Sequence, residues 1–155
     1  MGHPYARSGP SDAGNRPGWK SGPVTIRLVR SAQLYSDVPY AYASVGSPAA
    51  LVFTAGACPL SPDGDVIGPG DVPAQARQAV SNLAEALAAA GSGLPRVLKT
   101  TIYVASGERA DLVAAWEVIS SAFGEHDVPS TLLGVTVLGW PDQLVEIEAV
   151  AIADP

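Results

Sequence analysis

The sequence predicts an α+β fold, a mixed sheet with two helices packed on one face. Three observations carry that expectation. Six separate runs are rich in apolar and β-branched residues, alternating or continuous, two other stretches repeat apolar residues at helical spacing, and the order is three strands, helix, strand, helix, two strands. At 155 residues, 47% hydrophobic and 15% charged, the chain suits one domain with a sizeable core.

Residues 1–22 are rich in Gly, Pro, Ser and Asn without periodicity, so a disordered basic tail is expected there and a single domain over 23–155. Val24 to Arg30 alternates as a first strand, and Pro39 to Val45 reads as a second. Ala50 to Ala55 is continuous enough for a central strand. Pro62-Asp63-Gly64 is a turn, because proline presets φ and glycine accepts a positive one. Asp71 then caps a first helix, Pro73 fits its first turn, and Ala76, Val80, Leu83, Leu87 and Ala90 form an apolar stripe ending at Gly91. Val97 to Ala105 is the fourth strand. Ser106 opens a second helix, where Glu108 suits the dipole and Leu112, Ala115, Trp116, Ile119 and Phe123 form the buried stripe, up to Gly124.

The last two strands, 129–137 and 144–152, flank a bend that suits antiparallel pairing. In the second of them Val145, Ile147, Ala149 and Ala151 share one face while Leu144, Glu146, Glu148, Val150 and Ile152 share the other. Two carboxylates therefore lie on an otherwise apolar surface, which is either a pocket wall or an exposed sheet face with solvated glutamates.

The net charge of −6 is unevenly divided: residues 1–31 carry Arg7, Arg16, Lys20, Arg27 and Arg30 against Asp12, and the remainder is strongly acidic. An acidic body disfavours a nucleic-acid partner, whose affinity comes from clustered Lys and Arg. No apolar run approaches the ~20 residues of a membrane span. The N-terminus lacks the apolar middle of a signal peptide, so a cytoplasmic protein with no membrane partner is expected. The single cysteine, Cys58, agrees with a reducing compartment, and with no local Lys, Arg or His to make it a thiolate it reads as a buried, inert thiol. Neither His3 nor His126 has partners at metal-ligand spacing, and Gly68-Pro69-Gly70 leads into the acidic Asp71, so no metal or other cofactor is expected. Tyr40 and Tyr42 share a strand face, where tyrosines usually pack and find one polar partner.

Several runs taken in order resemble one family. They are Pro39-Tyr40; Leu51-Val-Phe-Thr-Ala-Gly56 with Pro59-Leu60; the helix from Gln75 to Gly91; Val97-Leu-Lys-Thr-Thr-Ile-Tyr-Val; Pro129; and Val145-Glu-Ile-Glu-Ala-Val-Ala. Together they are similar to the Rid family, also called YjgF/YER057c/UK114, over nearly the whole of Ile26 to Ile152. The resemblance implies a chorismate-mutase-like, six-stranded mixed sheet with two helices on one face. It further implies a homotrimer that binds small molecules in the clefts between subunits. The best-known members hydrolyse reactive enamines and imines to ketones and ammonia.

By the same resemblance Glu146 is the catalytic residue that positions the hydrolytic water, and Tyr40, Cys58, Trp116 and Thr131 are substrate-binding. Thr131 stands where those enzymes carry the arginine that clamps the substrate carboxylate, and a neutral hydroxyl cannot replace a guanidinium fork. Trp116 stands in place of a pocket asparagine, where it either lines the cleft or extends the core; Cys58 replaces an aliphatic residue and Ala57 a glutamine. The expected function is binding of a small-molecule ligand by a divergent Rid-like trimer, with hydrolysis or tautomerisation of imines or enamines other than small 2-imino acids. A non-catalytic ligand sensor or chaperone-like binding module is the alternative. An RNA-cleaving role, described for some members, is disfavoured by the acidic body.

Overall fold

The computed structural model describes residues 26–29, 41, 43–46 and 50–153. The tail expected over 1–22 and the site candidate Tyr40 lie outside these residues. β1 (Ile26–Val29) and β2 (Ala43–Gly46) pair antiparallel, with Ile26 opposite Gly46. β3 (Leu51–Phe53), β4 (Val97–Val104), β5 (Ser130–Gly134) and β6 (Val145–Ile152) form a second sheet in the order β3-β6-β4-β5. β4 and β5 run parallel, and the other neighbours are antiparallel.

Three expectations are corrected here. Among the described residues six strands are present, and they divide into a two-stranded pair and a four-stranded mixed sheet instead of one six-stranded sheet. The last two strands are not neighbours, because β4 lies between them and bonds both. Helix α2 (Arg109–Phe123) links β4 to β5, and a helical crossover is the connection that lets two strands lie parallel. The 50–55 segment is an edge strand, not a central one: Phe53 is 72% exposed.

Helix α1 (Val72–Ala89) begins as expected, with Asp71 Oδ1 accepting from Ala74 N at 2.9 Å and proline in the first turn. This bond satisfies one of the donors that every helix start leaves free. The Ser61–Asp65 turn also forms, with Gly64 at φ 92° and its N–H bonded to Ser61 O. α2 starts three residues later than Ser106. That serine instead donates to Asp111 Oδ2 at 2.6 Å and accepts from Glu108 N, tying the helix entry together.

Both helices lie on one face of the sheet. Ala76, Ala79, Leu83 and Leu87 of α1 and Ala115 and Ile119 of α2 pack with Ile102 and Val104 of β4 and with Val145, Ile147, Ala149 and Ala151 of β6. Each fully buried leucine or isoleucine in this layer contributes roughly 1.5–3 kcal/mol relative to exposure. The alternation read in 144–152 is thus the division between this core and the opposite face, where Lys99, Thr101, Tyr103, Glu146, Glu148 and Val150 stand side by side. The same outward face carries Leu51, Phe53 and Leu133, all exposed. No described helix is long and apolar enough to cross a membrane.

One buried polar side chain joins the helical layer to the loop before β6. Gln75, fully inaccessible, donates to Asp142 O at 2.7 Å and Gly68 O at 3.2 Å and accepts from Leu144 N at 2.7 Å. Asp142 has φ 60°, a left-handed turn that brings Gln143 inward beneath Trp140.

Candidate functional site

Glu146 stands on the outward face of β6 opposite Tyr103 of β4. Its neighbours are set by backbone pairing. Ala57 exchanges two hydrogen bonds with Ile147, at 2.7 and 3.2 Å, which lays the Gly56–Cys58 segment along β6 beside the carboxylate. Glu146 fills the space where a side chain at position 56 would be: a Cβ on Gly56 would overlap its carboxylate. Only glycine allows this approach. Asn82 of α1 holds the segment from behind, donating to Cys58 O at 2.8 Å and Leu60 O at 2.9 Å.

Two side chains converge on one oxygen of the carboxylate. Gln143 Nε2 donates to Glu146 Oε2 at 3.0 Å, and the Cys58 thiol lies 3.5 Å from the same atom. Gln143 is itself buried and fixed, since its amide also donates to Val145 O and accepts from Trp140 N. Burial, followed by the Glu146 charge and its hydrogen bond, raises the Cys58 thiol from the ordinary 9.0 to about 11. Cys58 is therefore a protonated donor at neutral pH, not a nucleophile. A rise of that size lowers the thiolate population at a given pH by about 100-fold, so iodoacetamide should alkylate Cys58 far more slowly than an unperturbed thiol. Substituting Glu146→Gln removes a like charge and should speed that alkylation. Wild-type labelling at the rate of a free cysteine would contradict the arrangement.

The remaining candidates do not join this cluster within one chain. Thr131 is exposed on β5, paired with Thr101 of β4, and lies two strands from Glu146. Its hydroxyl accepts a 2.7 Å hydrogen bond from Lys99 Nζ, which also donates to Thr100 O. Trp116 packs partly buried on the core, as one of its two alternatives expected, and also lines a surface groove of this chain with Ser120, His126, Asp127 and Ser130. Ala41, beside the undescribed Tyr40, donates to Asp127 O at 3.1 Å, next to that groove. Among the described residues no three His, Cys, Asp or Glu side chains form a metal-binding group.

Sequence reasoning missed Gln143 and Lys99. Gln143 sits in a bend, where a polar residue reads as solvent-facing, and only its position three residues before Glu146 hinted at contact. Lys99 reads as one polar position in an alternating strand, and its partner is 32 residues away. Tyr103 was likewise taken only as strand; its hydroxyl donates to Glu148 Oε1 at 3.0 Å, and that bond to Glu148 raises its pKa.

Comparison with known proteins bears on what such an arrangement does. The family model described as Endoribonuclease L-PSP matches residues 31–153. The chain belongs to the Rid family. The matched span takes in all five residues named above, Tyr40, Cys58, Trp116, Thr131 and Glu146. Among Rid relatives, the RutC family protein slr0709 of Synechocystis is 33% identical over 83% of this chain and 98% of its own length. The 2-iminobutanoate/2-iminopropanoate deaminase of Escherichia coli K12 is 35% identical over 66% of this chain and 79% of its own. The fold matches the Rid protein YyfB of Yersinia pestis with a TM-score of 0.77 and 28% identity, covering 82% of this chain and 98% of that one. Rv2704 of Mycobacterium tuberculosis, of the YjgF/YER057c/UK114 family, matches at 0.56 with 33% identity over 83% and 100%.

Proposed function

We propose that this Rid protein is a homotrimer that hydrolyses or tautomerises imine or enamine intermediates other than small 2-imino acids, with Glu146 as the group that orients and deprotonates water. The observation that carries the reading is the held carboxylate: Gln143 and Cys58 both bond Oε2, with Gly56 giving the space. Oε1 is then the oxygen that meets the reacting water. Water adds to the imine carbon as Glu146 takes its proton. Return of that proton to nitrogen gives the carbinolamine, and transfer of its hydroxyl proton to nitrogen through the same carboxylate then breaks the C–N bond, releasing ammonia and leaving the ketone. The naming of one relative as an iminobutanoate and iminopropanoate deaminase supports this reaction class.

The substrate restriction follows from Thr131, which the resemblance aligns with a carboxylate-clamping arginine. Losing such a charge-assisted pair costs about 2–5 kcal/mol of binding, roughly thirtyfold to several thousandfold. Because that residue is neutral, a non-catalytic ligand-binding role is the second reading. The two separate in a screen of imines and enamines followed by mass spectrometry: ketone product supports the first, and thermal stabilisation without product supports the second.

The trimer is supported by the outward face of the sheet. Leu51 is 53% exposed, Phe53 72% and Leu133 43%, an apolar surface that a symmetric assembly would cover. Sedimentation equilibrium is expected to give a three-chain particle. A monomer at micromolar concentration would overturn the assembly and, with it, the intersubunit cleft.

A further inference from the structure

The outward face of β4 and β5 holds a cation whose hydrogen bonds go to neutral oxygens. Lys99 Nζ donates to Thr100 O at 2.6 Å and to Thr131 Oγ1 at 2.7 Å. Two of three ammonium hydrogens are thereby used. Because Thr131 Oγ1 already accepts from the lysine, its own hydrogen is left to donate. One N–H of the ammonium and the Thr131 O–H are thus left as neighbouring donors, the pattern that binds an oxyanion. The nearest acid on the face, Glu148, takes the Tyr103 hydroxyl at 3.0 Å and faces Thr101, one rung from Lys99. Burial lowers the Lys99 pKa while the Glu148 charge raises it, so the ammonium is incompletely compensated.

We infer that Lys99, together with the Thr131 hydroxyl, is the anion-recognition element of this protein, and that its ligands carry their anionic group several bonds from the reacting carbon. The second clause rests on the hydrolytic reading of Glu146. The sheet register sets the separation. Thr131 pairs with Thr101, whereas Glu146 faces Tyr103 on the opposite side of β4. The two positions differ by two residues along the strands and two strand spacings across them, roughly 7 Å and 10 Å. A guanidinium at position 131 would project outward along this face, whereas the lysine charge sits at the foot of the hydroxyl. An anion must therefore reach deeper to meet it, which a carboxylate attached directly to an imine carbon does not do.

The test uses three keto acids as product-like probes, pyruvate, 4-oxopentanoate and 7-oxooctanoate, with neutral 2-octanone as the control, titrated into the full chain in its native assembly by calorimetry. Affinity is expected to rise along the acid series, and 7-oxooctanoate should bind tighter than 2-octanone. Lys99→Met should weaken 7-oxooctanoate by about tenfold or more while leaving 2-octanone unchanged, and Lys99→Arg should keep the preference for the acid. Equal binding of 7-oxooctanoate by wild type and the methionine variant overturns the inference, as does pyruvate binding as tightly as 7-oxooctanoate. Loss of 2-octanone binding along with the acid would show damage to the fold and remove the support from Lys99→Met, leaving Lys99→Arg to decide. Loss of the acid preference in that variant also overturns the inference. Glu146→Gln should keep 7-oxooctanoate binding and lose turnover. Retained turnover there, with the lysine effect intact, overturns the hydrolytic reading alone.

Discussion

Replacing Glu146 by glutamine should lower kcat/KM for any imine or enamine turned over by the native protein by about 10²–10⁴-fold, the usual contribution of a positioned general base. The loss corresponds to roughly 3–5 kcal/mol of transition-state stabilisation. The amide keeps an oxygen for Gln143 and nearly the same volume beside Gly56, so the effect should fall on the chemical step with little change in folding. Ketone release measured by a coupled assay, alongside thermal unfolding of both proteins, checks this. A variant that retains full activity would remove Glu146 from the mechanism.

The second large effect is a gain. Thr131→Arg should raise the hydrolysis of freshly generated 2-iminopropanoate by about thirtyfold to several thousandfold, the inverse of the loss expected for a missing carboxylate clamp. The lower part of that range is favoured by what already occupies the position. The Lys99 ammonium, 2.7 Å from Thr131 Oγ1, must move aside and then faces a like charge. Rapid turnover of 2-iminopropanoate by the native protein would mean that Thr131 does not limit the substrate range.

Much of the fold was legible because it is written locally. The Asp71 cap, the Ser61–Asp65 turn, the stripe of Ala76, Val80, Leu83 and Leu87, and the two faces of β6 each depend on residues within a few positions of one another. Neighbour relations across the sheet were not. The bend at 138–143 invited a hairpin, yet β6 pairs with β4, whose apolar inward positions Ile102 and Val104 lie opposite Ile147 and Val145. What decides the pairing is burial of both helices over a shared core, a property of the whole chain. The site divides the same way. Glu146 was singled out from its strand and from the resemblance, and Cys58, read as an inert thiol, faces that acid. Gln143 and Lys99 were missed because each meets its partner through tertiary geometry and not through spacing.

Gln75 carries a consequence beyond the stability of its own helix. It holds the carbonyl of Asp142 and the amide of Leu144, the residues on either side of Gln143, which in turn holds the acid. A rotation or axial slip of the first helix is therefore passed through one side chain to the orientation of the Glu146 carboxylate. If Glu146 acts as proposed, repacking the helical layer to stabilise this protein will change its rate before its melting.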